Sequence, residues 1–315
     1  MYIVKLKPAY KDYIWGGQKL KNQFNKQTTL EKVAETWECS THSDGLSVVW
    51  NGEFAGKTLS EMLDIWGLSA IGRKAEGFEF FPVLVKLIDA SDKLSVQVHP
   101  SDEYALENEH SFGKTEFWYV IDADDGAELV YGLNKDVDKN TFLQLAETGE
   151  LNSILNYVPV KKGDTFFIEA GLIHAIGKGI IIAEIQQNSN LTYRVFDYNR
   201  VGADGKLRDL HVEKAANVAF LGKTEFSRKK GKCVENENSV IEKLCSCKYF
   251  SVNKIDLNGD SSIFHADSFT TITVIDGSGT IGDIEVEKGD SVFIPAEIGR
   301  VKICGNFTAL KTFID

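Results

Sequence analysis

Three short segments of the sequence carry side chains that could bind a metal ion. The segment LSVQVHP contains His99, GKTEFWYVID contains Glu116, and GDTFFIEAGLIH ends at His174. Two imidazoles and a carboxylate, with one position open for water or substrate, are the ligand set expected of catalytic zinc. The same set also suits non-haem iron. The sequence therefore predicts a catalytic metal site at His99, Glu116 and His174.

Strand alternation explains how the first segment could present its polar residues. In LSVQVHP, alternation places Val96 and Val98 on one face of a strand and Ser95, Gln97 and His99 on the other. Because the valines favour the core, the polar face should line a second enclosed space, such as a barrel interior. In GKTEFWYVID, the same alternation puts a lysine, Lys114, on the face of the candidate carboxylate.

An internal repeat organises the chain. The segments GDTFFIEAGLIH, ending at His174, and GDSVFIPAEIGR, ending at Arg300, both place Gly-Asp before an apolar strand and a basic residue. Superimposing the Val-Ile-Asp runs upstream places Thr270 opposite Glu116, and superimposing the Gly-Asp segments places Arg300 opposite His174. We therefore predict that the later copy, about residues 240–315, repeats the fold and binds no metal. The remaining histidines are predicted to be structural or merely exposed: His42, His110, His211 and His265.

Most of the sequence predicts β-strands. Alternating or β-branched runs broken by Gly-Asp turns indicate a mainly β fold, a sandwich or closed barrel. Helical patterns are few: a capping-box segment from Thr58, the segment 139–158, and LHVEKAANVAFLG. The most polar stretch, FSRKKGKCVENENS, predicts a boundary. We expect a catalytic domain with helical insertions at 1–230 and a degenerate β domain at 231–315.

Composition limits the partners. The net charge of −11 disfavours nucleic acid and acidic membrane surfaces. It permits a small anionic substrate, provided that cations are concentrated near the site. The sequence has no apolar run long enough to span a bilayer and no signal-peptide pattern, and its five cysteines form an odd, scattered set. We expect a cytoplasmic protein with free thiols and no obligate protein partner.

The motifs resemble a known family. The module ending at His174 resembles the second cupin motif, G-x5-P-x-G-x2-H, with Glu169 at the proline position. KLSVQVHP, GKTEFWYVID and the stretch from GDTFFIEAGLIHAIG through NSNLTYRVFDY are similar to the type I mannose-6-phosphate isomerases in their short bacterial form. The resemblance covers about residues 8 to 215. It implies two cupin-type jelly-roll β-barrel modules and the interconversion of mannose 6-phosphate and fructose 6-phosphate through an enediolate.

The resemblance also implies roles for individual residues. One zinc ion would be held by Gln97 together with His99, Glu116 and His174. The essential arginine of the family falls on Arg194, although the preceding residues NLTY differ from the Asp-Asn-Val-x pattern of longer relatives. A guanidinium can hold an oxyanion or a phosphate through paired hydrogen bonds.

Further candidates surround these residues. Lys114 could bind phosphate or move the proton, and Glu184, ten residues before Arg194, is a candidate base. Lys86 and Ser95, in positions that line the pocket in the family, are candidates for contact with the phosphate of the sugar substrate.

Two other functions use similar ligands. An iron-dependent cupin dioxygenase would also use histidines and a glutamate, but it has no need of Arg194 and Lys114 converging on an anion. A non-catalytic sugar-binding cupin is disfavoured by the complete ligand set and by the absence of a DNA-binding segment.

Overall fold

The chain contains far more strand than helix, as predicted. The computed structural model describes residues 1–202, 205–228, 230–264 and 267–315, so that His265 lies outside the described residues. The strands are β1 (Val4–Lys7), β2 (Ala9–Lys11), β3 (Glu35–Cys39), β4 (Val48–Val49), β5 (Val83–Ala90), β6 (Val96–Val98), β7 (Glu116–Ala123), β8 (Glu128–Leu133), β9 (Leu155–Pro159), β10 (Thr165–Ile168), β11 (His174–Ala175), β12 (Ile180–Gln187), β13 (Tyr193–Phe196), β14 (Lys232–Asn236), β15 (Ser239–Ser246), β16 (Ser251–Ile263), β17 (Thr270–Ile281), β18 (Ile284–Glu287), β19 (Ser291–Ile294) and β20 (Val301–Phe313).

The helices are short. They are α1 (Lys19–Gln23), α2 (Leu59–Trp66), α3 (Leu68–Ile71), α4 (Asp102–Glu109), α5 (Lys139–Glu147) and α6 (Val212–Val218), with 3-10 turns at Arg73–Ala75, Leu151–Ser153 and Ala296–Ile298. Two of the predicted helices are confirmed as α2 and α6. The prediction for 139–158 is confirmed only as far as Glu147, the end of α5, because the segment continues through a 3-10 turn into β9. At the start of α2, Thr58 Oγ1 accepts the N–H of Glu61 at 3.1 Å, and Glu61 returns the bond to the backbone N–H of Thr58. Within the described residues, no helix is long and apolar enough to cross a membrane.

The chain folds into two units. The first contains Met1–Lys11, Gln18–Leu87 and Lys230–Asp315, and the second contains Asp12–Gly17 and Ile88–Lys229. This grouping differs from the linear division expected from the sequence, because residues 18–87 belong with the C-terminal strands. The reason is that β1 pairs both with β19, where Val4 lies opposite Phe293, and with β4, where Leu6 lies opposite Val49. A pairing between residues so far apart in the chain leaves no local signal in the sequence.

In the first unit, one large sheet has the order β14-β15-β16-β20-β17-β19-β1-β4, with β18 beside β17. Its apolar residues form a core that includes Ile255, Val274, Val292 and Ile303. In the second unit, a sheet has the order β13-β6-β11-β8-β9, and β10, β7 and β12 lie side by side in that order.

The inward valines of β6 anchor the second unit. Val96 and Val98 are fully buried in a core that also contains Phe142 of α5 and Ala215 of α6. The alternation predicted for LSVQVHP is therefore confirmed. The strand orders of the sheets run from one edge to another without closing. The sheets are therefore open and do not close into continuous barrels.

The internal repeat is present in the strand pairing. β10 places Ile168 opposite Glu116 of β7, and β19 places Ile294 opposite Thr270 of β17. The alignment of Glu116 with Thr270 is therefore confirmed.

Candidate metal centre

The ligand atoms of the three predicted metal residues lie together inside the second unit. Those of His99, Glu116 and His174 are all within 4.8 Å of one another. Nε2 of His99 is 3.2 Å from Oε1 of Glu116, and Nε2 of His174 is 3.8 Å from Oε2. All three side chains are buried. The structure thus brings together residues that come from three separate segments.

Neighbouring strands position this cluster. Glu116 is the first residue of β7, His174 is the first residue of β11, and His99 follows the last residue of β6. The backbone of His174 pairs with Gln97 of β6. The amide Nε2 of Gln97 lies 3.4 Å from Nε2 of His174, so Gln97 also faces the cluster.

Each imidazole is held in the tautomer that a metal requires. Nδ1 of His99 donates to the carbonyl of Leu191, and Nδ1 of His174 donates to that of Leu172, both at 2.8 Å. The Nε2 atoms therefore turn their lone pairs towards Glu116. Burial lowers the pKa of His99 to about 3 and also lowers the pKa of His174, so both rings are neutral near pH 7.

Glu116 carries the negative charge of the cluster. Burial acts to raise the pKa of its carboxyl group, but the Lys114 ammonium and the imidazoles outweigh burial and hold that pKa well below its ordinary value. Nζ of Lys114 contacts Oε1 of Glu116 and lies 3.3 Å from Nε2 of His99. The other carboxylate oxygen, Oε2, is buried and has no hydrogen-bond partner among the described residues.

These donors fit a divalent metal ion. A buried carboxylate oxygen without a donor costs free energy, and a cation between it and the two imidazole nitrogens would remove that cost. Two neutral imidazoles and a carboxylate match the protein ligands of a catalytic zinc site. A half-turn of the Gln97 amide would bring its oxygen to the same place as a fourth donor.

Arg194 lies directly beside this cluster. It is the cross-strand partner of Gln97, with β13 antiparallel to β6. Nε donates to Oγ of Ser95 at 3.3 Å, and Nη1 donates to the carbonyl of Asp209 at 3.1 Å. Burial lowers the pKa of Arg194, and the charge of Arg208 lowers it further. Both acceptors, the hydroxyl of Ser95 and the carbonyl of Asp209, are uncharged.

Two more guanidinium groups share a single carboxylate. Nε of Arg208 donates to Oδ2 of Asp197 at 2.7 Å, and Nη2 of both Arg208 and Arg200 contacts Oδ1. Burial raises the pKa of Asp197, but the two arginines outweigh it and lower the pKa below its ordinary value. Asp92 lies 3.8 Å from Arg200, and the charges of Asp197 and Asp209 act on Arg194, so the three guanidinium groups stand among several carboxylates.

Glu184 is buried on β12, opposite Trp118 of β7. The indole Nε1 of Trp118 donates to Oε1 of Glu184 at 2.9 Å. The same indole meets the ring of His174 edge-on, with 5.4 Å between ring centroids. Trp118 therefore contacts both a predicted metal ligand and the candidate base.

Comparison with known proteins gives this arrangement a family. Residues 3–135 match the family described as phosphomannose isomerase type I, catalytic domain, and residues 240–314 match the mannose-6-phosphate isomerase cupin domain. The mannose-6-phosphate isomerase ManA of Bacillus subtilis is 40% identical over 308 residues, which cover 95% of each chain. The chain belongs to the type I mannose-6-phosphate isomerase family.

Other members of the family agree over nearly the whole chain. The mannose-6-phosphate isomerase of Streptococcus mutans is 37% identical and covers 95% of this chain and 94% of its own. The crystal structure of the mannose 6-phosphate isomerase from Bacillus subtilis is 35% identical, with a TM-score of 0.91 over 99% of both chains. A structure from Archaeoglobus fulgidus, at 23% identity and a TM-score of 0.78, shares the fold. The family predicted from the motifs is confirmed.

Lys86, predicted to contact substrate, belongs to the first unit. It is buried on β5, where its Nζ lies 3.6 Å from Oε2 of Glu35 and 5.0 Å from the centre of the Trp37 ring. Trp37 in turn donates its indole N–H to Glu35 at 2.7 Å. The role of Lys86 with substrate stays a prediction.

Several residues of the site were not found from the sequence. His211, predicted to be structural, accepts the backbone N–H of Arg194 at its Nδ1, at 3.3 Å. Asp197, Arg200 and Arg208 form the shared ion pairs described above. The only signal for them is the interleaving of opposite charges after Arg194, and such a pattern is usually a solvated surface.

Proposed function

We propose that this chain interconverts mannose 6-phosphate and fructose 6-phosphate with one zinc ion held by His99, Glu116 and His174 and by the amide oxygen of Gln97. The observation that carries the proposal is the cross-strand pairing of Arg194 with Gln97, which sets an anion-binding group beside the metal donors. A site of this kind suits a substrate that carries both a carbonyl group and a phosphate.

The phosphate finds its counter-charge in the arginines. The side-chain hydrogen bonds of Arg194 go to neutral oxygens, whereas Arg200 and Arg208 are paired with Asp197, so the charge of Arg194 remains available to an anion. We assign contacts with the phosphate or the sugar oxygens to Arg194 and Ser95, with Lys86 as a further substrate contact. This local cluster meets the condition set by the net charge of −11.

The reaction moves a proton between adjacent carbons. Zinc, when bound, supplies polarisation of the carbonyl and stabilisation of negative charge on oxygen. We assign Glu184 as the base, because the Trp118 indole donates a hydrogen bond to its carboxylate and fixes its position. Arg194 would stabilise the developing oxyanion, and Lys114 would hold or return the proton on substrate oxygen.

The proposed site residues all fall within the catalytic domain expected at residues 1–230, and we propose that 231–315 is structural. The five cysteines are free, which supports a reducing compartment, and we place the protein in the cytoplasm.

The decisive test joins metal analysis of the purified protein with an assay of mannose 6-phosphate conversion. We expect close to one zinc per chain and fructose 6-phosphate as product. Bound iron with oxygen consumption would favour a dioxygenase instead. Tight sugar binding without conversion would favour a binding protein.

A further inference from the structure

The Lys114 ammonium uses two atoms that a metal ion at this centre would also use. Its Nζ contacts Oε1 of Glu116 and lies 3.3 Å from Nε2 of His99. The lysine side chain is only 4% exposed, so these contacts are made in the interior and not in solvent. Lys114 precedes Glu116 by two residues and shares its face, which keeps the ammonium close to the donors.

The two contacts differ in what they allow. A carboxylate oxygen has two lone pairs, so Glu116 can serve an ammonium and a metal together. His99 has one lone pair to offer, because its Nδ1 already donates to Leu191 at 2.8 Å and only Nε2 remains as an acceptor. That lone pair can accept a hydrogen bond from Lys114 or bind a metal ion. It cannot do both at once.

We propose that Lys114 and the metal ion compete for His99, and that metal binding turns the ammonium away from His99 towards the substrate. Repulsion acts in the same direction, because a divalent cation and an ammonium a few ångströms apart repel strongly in a buried site. The displaced ammonium then has free N–H groups for a substrate oxygen. Metal binding and the readiness of Lys114 for the substrate are therefore coupled. The inference rests on the proposed metal centre.

The opposite role makes the opposite prediction. A lysine that only orients Glu116 would support the metal site, and its loss would weaken metal binding, as the loss of outer-shell partners commonly does by about 10- to 100-fold. A competing lysine occupies the lone pair of His99 that the metal needs, so loss of the lysine strengthens metal binding. The sign of the change in affinity separates the two roles.

Zinc affinity of the metal-stripped protein, measured by competition with a chromophoric chelator, provides the test. Lys114→Met keeps a long, flexible side chain and removes the positive charge. The matched control is Lys254→Met on β16, since Lys254 also pairs with a carboxylate two residues away, Asp256, at 3.1 Å. We expect Lys114→Met to bind zinc about tenfold more tightly or more, and Lys254→Met to match the unchanged protein. Equal or weaker binding by Lys114→Met would overturn the proposal.

A second measurement needs no variant. In a crystal structure of the zinc-loaded protein, Nε2 of His99 should bind zinc, and Nζ of Lys114 should lie beyond hydrogen-bonding distance from it. If zinc is bound and the Lys114–His99 contact is still present, this inference is wrong and the proposed metal centre stands. A protein that takes up no zinc at these residues would overturn both this inference and the proposed metal centre.

Discussion

The two Gly-Asp turns, before β10 in the second unit and before β19 in the first, are built alike. Oδ2 of Asp164 accepts the N–H of Lys161 at 3.0 Å, and Oδ2 of Asp290 accepts the N–H of Glu287 at 2.8 Å. The glycine before each aspartate has a positive φ, 88° in one turn and 99° in the other, where glycine is favoured. The same local chemistry therefore makes the same turn twice.

The side chains beyond the turns differ completely. In the second unit, β7, the partner strand of β10, carries a buried carboxylate, Glu116, and the segment after β10 carries a buried imidazole, His174. In the first unit, the matching positions are Thr270 and Arg300, and Arg300 donates to Oγ of Ser262 at 2.9 Å. The backbone of this module is thus independent of its chemistry. Two of the three predicted metal ligands are replaced in the copy.

Replacing Glu116 with the residue of the copy should have the largest effect. Glu116→Thr removes the only carboxylate of the cluster, so we expect loss of bound zinc. Turnover should fall by at least about 10³-fold, because a metal supplies several kcal/mol of transition-state stabilisation. Metal analysis and the isomerase assay measure both effects. Thr270→Ser serves as the control. Normal zinc content in Glu116→Thr would show that the carboxylate is not a ligand.

Arg194 lies outside the repeat, so its replacement tests whether the metal site alone is enough for turnover. For Arg194→Ala we expect kcat to fall by about 10²-fold, as for the loss of one oxyanion donor, with zinc content near normal. The control is Arg73→Ala, because Arg73 is exposed and pairs with Asp267. Its kcat and zinc content should both stay unchanged. A raised KM with unchanged kcat would instead make Arg194 a uniform phosphate contact, and loss of zinc would make its role structural.

Trp118 corresponds to Ile272 in the copy, and Ile272 lies opposite Lys311 where Trp118 lies opposite Glu184. Trp118→Phe keeps a ring against His174 and removes the indole N–H that holds Glu184. We expect kcat to fall by about tenfold, since a hydrogen bond to a charged group contributes about 1.5–3 kcal/mol, while KM and zinc content stay the same. Steady-state kinetics of Trp118→Phe measure this change. The control is Trp50→Phe, because Trp50 is exposed. An unchanged kcat would mean either that Glu184 is not the base or that Trp118 does not position it.

The shared turn can be broken in both units. Asp164→Ala and Asp290→Ala each remove a backbone cap and an ion pair, with Arg228 at 2.8 Å or Lys5 at 2.7 Å. We expect each variant to lower the free energy of unfolding by about 1–2 kcal/mol in urea titrations. Only the Asp164 variant should also weaken zinc binding. Equal zinc affinity in the two variants would mean that the turn does not position the metal ligands.

The smallest effect concerns pH and the first unit alone. Burial lowers the pKa of Lys311 on β20 from 10.5 to about 8. Between these values the unfolded chain binds a proton that the folded chain has released, so stability rises with pH across that window. Lys311→Met should flatten this rise and stabilise the protein at pH 7 by about 1 kcal/mol. Denaturation at pH 7 and pH 10 measures the slope, and an unaltered slope would contradict the prediction.

Local patterns predicted the parts of the molecule that local physics controls. Alternation around Val96 and Val98 was enough to orient Gln97 and His99. The Thr58 capping pattern was enough to start α2. The repeat predicted the opposition of Glu116 and Thr270, because the same turn and strand fix the same register.

Long-range features were not accessible in this way. The grouping of residues 18–87 with the C-terminal strands depends on β1 pairing with β19, and the strands alone do not reveal their partners. Asp197, Arg200 and Arg208 meet through an irregular segment, where no period relates one position to the next. The open strand order could not be distinguished from a closed barrel, since both give the same alternation.

The pairing of β1 with β19 also sets the order of events during synthesis. Val4 leaves the ribosome 289 residues before its partner Phe293. At about 5–20 residues per second, β1 waits roughly 15–60 s for β19. During that interval its apolar residues and backbone groups need other partners, such as a chaperone. The large sheet therefore forms its pairing with β1 only at the end of translation, whereas every strand of the second unit has already been made.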